Sequence, residues 1–354
     1  MKIQFREDEM SNKNLALVII ILFAQFIFTN RVNAQSVSKT GTTAANFLEI
    51  AVGASAVGMG GAFVGVADNA AALYWNVGGL ANLEQNEAIL VHTNWIAETS
   101  FDYAGLVIPL DELGTIGLSF TSLSMDDMKV RTVEKPDGTG EYFSAGDIAV
   151  GLSYSRKLTD RFSIGLTVKY IQQNIWHMSA SAFAIDAGTV FKTDLLGGMV
   201  IGASISNFGS AMKLDGRDTR QFVRVDDTKL GSNDQIPTNI ELDEWELPLN
   251  IQLGISTQAF QTEDFSMTVA VDAIHPNNNY ESINFGTEIS FQDFLFIRGG
   301  YQSLFLEDAE GGLSFGLGVN SKMLFSQSFV NFDYAYRDFG RLENIHVFSL
   351  GIKF

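Results

Sequence analysis

From about Glu87 to the C-terminus, large apolar residues recur at every second position, the repeat of a strand whose two faces meet different surroundings. Phe265, Met267, Val269 and Val271 alternate with Ser266, Thr268, Ala270 and Asp272. Phe162, Ile164, Leu166, Val168 and Tyr170 alternate with Ser163, Gly165, Thr167 and Lys169, and Leu313, Phe315, Leu317 and Val319 alternate with Ser314, Gly316, Gly318 and Asn320. One face is large and apolar, the other small or polar. The pattern predicts strands at 87–96, 100–109, 114–132, 142–157, 161–176, 180–193, 198–209, 246–259, 264–274, 281–291, 294–303, 312–322, 328–338 and 343–354. That is an even number, as bacterial membrane barrels require.

A soluble sandwich carries the same dyad, so two further features decide between them. The longer connections, about 133–141, 210–245, 304–311 and 339–342, all follow odd-numbered strands, while mostly short turns such as Leu158–Asp160 and Gln261–Glu263 follow even ones. Short periplasmic turns and longer outer loops give that asymmetry. The last strand sets His346, Phe348, Leu350, Ile352 and Phe354 on one face and ends on the aromatic ring. Aromatics near strand ends (Trp95, Phe101, Tyr103, Tyr170, Trp176, Tyr301, Tyr334, Tyr336) are read as headgroup girdles. The expected fold is all-β: a closed antiparallel transmembrane β-barrel of about fourteen strands.

The N-terminal quarter departs from this period. Lys13 precedes an apolar run from Leu15 to Phe28, and Val32-Asn33-Ala34 fits a small-residue cleavage site, so 1–34 is read as a signal peptide and Gln35 as the first mature residue. Three acidic residues before Met10 leave either Met1 or Met10 as the start. The apolar run is too short for a spanning helix, which needs about 20 residues. Residues 42–83 are rich in Ala and Gly and nearly free of charge, with short helical pieces, and Asp68 is placed to cap a brief helix over Asn69–Trp75. Small residues let backbones approach closely, as they must in a segment threading a barrel. The expected organisation is therefore signal peptide 1–34, plug segment 35–86 and barrel 87–354.

Composition supports this reading. The chain has 354 residues, 46% of them apolar, 12% aromatic and 18% charged, with 33 Gly and 5 Pro. Gly and Phe are weak helix formers, and the mix suits many strands with tight turns. A net charge of −18 argues against nucleic acid as a partner and against docking on anionic lipid headgroups. The absence of Cys excludes disulfides, thiolate metal sites, a Cys nucleophile and a lipid anchor on an N-terminal Cys.

Candidate chemistry is thin. Gly312-Leu313-Ser314-Phe315-Gly316 matches a nucleophile elbow in letters, but it lies inside continuous strand alternation and only His346 follows it. Gly58-Met59-Gly60-Gly61-Ala62-Phe63 nearly matches a dinucleotide fingerprint, yet no strand–turn–helix unit surrounds it and Phe63 replaces the third Gly. His92, His177, His275 and His346 lack metal-ligand spacing. The loop at 210–245 and its flanks are acidic, with Asp215, Asp218, Asp226, Asp227, Asp234, Glu241, Asp243, Glu244 and Glu246, but contain no twelve-residue Ca²⁺ loop. A solvated outer loop or a partner-docking surface fits it better. No catalytic residue, cofactor or metal ligand is expected, and the protein is read as a non-enzyme.

The stretches Ala56-Val57-Gly58-Met59-Gly60-Gly61-Ala62-Phe63-Val64, Ala67-Asp68-Asn69-Ala70 and Leu73-Tyr74-Trp75-Asn76-Val77-Gly78-Gly79-Leu80-Ala81 together resemble the plug region of the PorV/PorQ family. These are outer-membrane proteins related to the FadL-like long-chain fatty acid transporters. The family pattern reads Tyr-Trp-Asn-Pro-Ala-Gly-Leu; here Asn76 is kept, while Val77 and Gly78 stand at the Pro and Ala positions. The resemblance implies a fourteen-stranded barrel with an N-terminal plug in the outer membrane of a Gram-negative-type bacterium. Its motif residues would be Gly58, Gly60, Gly61, Asp68, Trp75, Asn76, Gly79 and Leu80. It also implies one of two tasks. The first is a component of type IX-like protein secretion that binds a translocon or the signal domains of its cargo. The second is a channel for hydrophobic small molecules, for which Phe47, Met59, Phe63, Tyr74 and Trp75 are candidate lining residues.

Overall fold

The computed structural model describes residues 39–226, 228–231, 233–306, 309–321 and 329–354. The expected signal peptide and residues 35–38 of the expected plug segment lie outside the described residues.

The main sheet has fifteen strands, one of which is the two-residue pair Asp215–Gly216 added to the start of a longer strand. The other fourteen form the barrel: β1 Glu87–Asn94, β2 Ser100–Pro109, β3 Thr115–Ser124, β4 Ala145–Thr159, β5 Phe162–Ile175, β6 Met178–Lys192, β7 Val200–Gly209, β8 Asn250–Gln261, β9 Phe265–Pro276, β10 Ser282–Phe291, β11 Leu295–Leu304, β12 Leu313–Asn320, β13 Phe329–Asp338 and β14 Asn344–Lys353. Each pairs antiparallel with its neighbours in the chain, and β1 pairs with β14 from Glu87↔Lys353 to Asn94↔His346. That pairing closes the sheet and leaves no free edge, the one way a sheet can satisfy its backbone groups in hydrocarbon.

Alternation sorts the two faces as anticipated. On β5, Ile164, Leu166, Val168 and Tyr170 are exposed while Ser163 and Thr167 are buried; on β4, Leu152 is 64% exposed beside Ser153 and Ser155 at 1% or less. On β12, Leu313, Phe315, Leu317 and Val319 point out and Ser314 is buried. The large hydrocarbon residues form an outer belt instead of a core between two sheets. The terminal strand follows the same rule, with Phe348 and Phe354 outward and Ile345, Val347 and Ser349 inward.

Two expectations need correction. The strand drawn over 114–132 stops at Ser124; Met128–Lys129 instead pairs with Tyr142–Phe143 in a separate two-stranded sheet. Asp126 and Asp127 interrupt the alternation there, and Asp is a poor strand residue. Phe101 and Tyr103 do not join an outer girdle: they are 0% and 4% exposed on the inner face, at the register positions of Thr93 and Val91. Strand parity, which places them with the buried Val107, outweighs their position near a strand end. Trp176 and Tyr301 are exposed as expected.

The connections 125–144, 210–249, 305–312 and 339–343 follow β3, β7, β11 and β13 and share one end of the barrel, called here the loop end. The turn end carries the short β4–β5, β8–β9 and β10–β11 connections, and also the longer one at 193–199. Among the described residues no helix is long and apolar enough to cross a membrane, which says nothing about strands.

Candidate binding site

Between the first described residues and β1 the chain forms only short helical turns, Asn46–Glu49, Ala54–Gly58, Ala72–Trp75 and Val77–Asn82. It starts at the loop end, where Ala44 donates its N–H to the Glu246 carbonyl at 2.9 Å, and reaches the turn end at β1. Along the way it packs against the inward-facing side of the wall.

Glycines permit that approach. A Cβ added at Gly58 would sit 2.8 Å from the Gly316 Cα on the wall, while one at Gly79 would sit 2.4 Å from the Ala67 carbonyl oxygen within the segment itself. Gly60 carries φ +66°, and a Cβ there would meet the Tyr301 nitrogen at 2.6 Å. Gly61, also left-handed, offers its carbonyl to Asn284 Nδ2 at 3.2 Å. The inner wall supplies small polar groups to the segment's backbone. Ser349 Oγ accepts from Ala54 N at 2.7 Å, while Ser256 and Ser163 donate to the carbonyls of Gly65 and Gly78 at 2.8 Å. Pairing of this kind answers the demand of buried backbone for partners.

Asn76 is a hub. Fully buried, it donates from Nδ2 to the Val64 carbonyl at 2.9 Å and the Thr189 carbonyl at 3.0 Å, and its Oδ1 accepts from Gly78 N at 3.1 Å. It thereby caps the turn Val77–Asn82 without the Pro of the family pattern. Gly78 stands where that pattern has Ala, and a Cβ at this site would come within 2.8 Å of the Gly188 carbonyl oxygen. Trp75 donates Nε1–H to the Val52 carbonyl at 2.8 Å, and Leu80 is fully buried. Asp68 does not cap a helix over Asn69–Trp75. The helix begins at Ala72, its N-cap Ala71 has no side-chain cap, and Ala71 N donates to Asn69 Oδ1 at 2.9 Å.

The residue sequence reasoning underrated is Asp272. It occupies a buried inward position on β9, and its Oδ2 accepts from both Phe63 N and Val64 N at 2.8 and 2.9 Å. Its signal was a carboxylate on the small, polar face of a strand, where Ser and Gly are the rule. Two buried charge groups brace the wall nearby. Arg298 reaches Glu288 and Asp333 at 2.6 Å each, and Lys169 reaches Asp186 at 2.9 Å.

Two spaces remain. An interior cavity of about 190 Å³ is lined by Phe47, Tyr74 and Trp75 together with Lys169, Asp186 and Asn207. Of the five candidate lining residues, Met59 and Phe63 are instead sealed at 0% and 2% exposure. A larger pocket of about 760 Å³ opens at the loop end between residues 41–50 and the 210–249 connection. The loops around it are tied down. His177 Nδ1 meets Asp218 Oδ1 at 3.0 Å, and Arg341 donates backbone N–H to Glu310 at 3.2 Å while its guanidinium pairs with the same carboxylate. Those contacts hold the Glu310 carboxyl below its ordinary range. No group of three or more potential metal ligands occurs among the described residues.

The fold is a closed fourteen-stranded antiparallel β-barrel with an N-terminal segment laid along its inner wall. Solved relatives agree in fold: a Pseudomonas aeruginosa FadL homologue (TM-score 0.50, 12% identity, 86% of this chain and 98% of that one). The Ralstonia pickettii toluene transporter TbuX aligns at TM-score 0.51 and 12% identity over 85% of this chain and 97% of that one. The Pseudomonas putida toluene transporter TodX aligns at 0.52 and 13% over 85% and 97%. The chain belongs to the PorV family: the family model described as type IX secretion system protein PorV matches residues 32–243. No curated protein sequence matches it.

Proposed function

We propose that this protein sits in the outer membrane of a Gram-negative-type bacterium and serves protein secretion without catalysing a reaction, by binding a translocon or secreted cargo at its loop end. Residues 35–86 act as the plug, with Gly58, Gly60, Gly61, Asn76 and Leu80 seating it against the wall and Trp75 and Gly79 holding it to itself. The observation that carries this reading is the contrast between a lumen filled by its own chain and a loop end built around two long connections, 125–144 and 210–249. Membership of the PorV family supports it. A tagged copy purified from native membranes should bring down a translocon or secreted proteins; recovery of the lone chain would count against the proposal.

A second reading, passage of hydrophobic small molecules, is favoured by the interior cavity beside Phe47, Tyr74 and Trp75 and by the likeness in fold to toluene transporters. On this reading, deleting the gene should slow uptake of aromatic hydrocarbons or fatty acids, and unchanged uptake would reject it.

A further inference from the structure

The pocket at the loop end has a chemistry of its own, distinct from that of the interior cavity, with which it shares Phe47. Its volume of about 760 Å³ falls in the range of small-molecule sites. Its walls are apolar, built by Phe47 from the N-terminal segment, Trp95 from the β1–β2 connection, Leu123 from β3, and Met212, Leu242 and Trp245 from the long loop. The charged groups in this lining are of one sign: Asp147 and Asp243 line it, and among the described residues no Lys or Arg does.

Asp147 is the fixed one. Its Oδ2 accepts from Gln173 Nε2 at 3.0 Å, and Gln173 Oε1 in turn accepts from Ala45 N at 3.0 Å. The carboxylate is thus held by the wall and by the start of the N-terminal segment, while Oδ1 has no protein donor among the described residues. A ligand with a long apolar body gains by leaving water for the aromatic and aliphatic walls. A head that donates a hydrogen bond gains again at Asp147, and more if cationic. A carboxylate head would meet like charge with no basic group to offset it.

We propose that this pocket binds a single-chain amphiphile whose head donates hydrogen bonds and carries no negative charge, with its hydrocarbon between Trp95, Met212 and Trp245 and its head on Asp147. The site selects against fatty acid anions. It stands on the pocket alone, so its failure would leave the secretion reading untouched.

The test is a titration of the purified full-length barrel, held in amphipol to avoid competing detergent. Dodecylamine, dodecanol and dodecanoate are the probes, read by tryptophan emission, since two of the four tryptophans line the site. Saturable binding of dodecylamine is expected, at least about tenfold tighter than dodecanoate, with dodecanol between them. Asp147→Asn, nearly isosteric, should reduce that preference to under about threefold, because only the charge is lost. Ala180→Phe, which fills the pocket from β6, should abolish saturation, with heat-modifiable migration on gels reporting that the barrel is intact. Equal affinity for amine and carboxylate, an Asp147→Asn protein with undiminished preference, or a signal that never saturates would each overturn the proposal.

Discussion

The N-terminal segment meets the barrel in two different ways. From Gly58 to Leu80 its backbone lies against the wall at distances that exclude even a methyl group, and its polar atoms pair with Asp272, Asn284, Ser256 and Ser163. From Thr43 to Ala51, Phe47 borders open space on two sides, and the few polar ties include Ala45 to Gln173 and Ala44 to Glu246. Close packing and paired polar groups leave a region one arrangement; cavities leave room for a ligand. The difference places stability in the lower stretch and binding at the upper one.

The sharpest way to break this division is at Gly60. Gly60→Val forces a branched side chain onto a left-handed backbone 2.6 Å from Tyr301 N, and should cost more than about 3 kcal/mol. The heat-modifiable folded form should disappear from gels. Next comes Asp272→Ala, which strands the Phe63 and Val64 N–H groups inside the wall and should lower stability by on the order of 3 kcal/mol in urea titrations. Asp272→Asn, which keeps a carbonyl oxygen as acceptor, should lose far less. Asn76→Ala removes the acceptor for Gly78 N and the donor to the Val64 and Thr189 carbonyls, a loss of about 2 kcal/mol by the same measurement. The smallest effect is expected in the upper stretch: Gln173→Ala releases Ala45 and should cost under about 1 kcal/mol, since the bond is only partly buried. A Gln173→Ala loss equal to that of Asp272→Ala would erase the contrast.

Much of this architecture was readable from the chain. The alternation on β5, β9 and β12 identifies the outward face because the period of a strand is two, and lipid or water on one side must be matched by residue type along its whole length. The glycines of the motif announced close approach in the same way, since few other reasons require so many small residues in succession. Less legible were residues whose role depends on a partner far along the chain. Asp272 looked like one more polar inward position, and only the fold brings it to Phe63 and Val64, 209 and 208 residues away. Phe101 and Tyr103 differ in kind: a place near a strand end suggests an outward position, but their parity with the buried Val107 sets them on the inner face.

Sequence alone therefore determined what repeats locally or stands out along the chain: strand period, facing, the long loop beginning at 210, and the family motif of the N-terminal segment. Closure through β1 and β14, the carboxylate that anchors Phe63 and Val64, and the acidic apolar pocket at the loop end were decided by tertiary structure. Each joins residues from distant strands and loops, and hydrogen bonding and charge act through distance in space, which a local pattern does not encode.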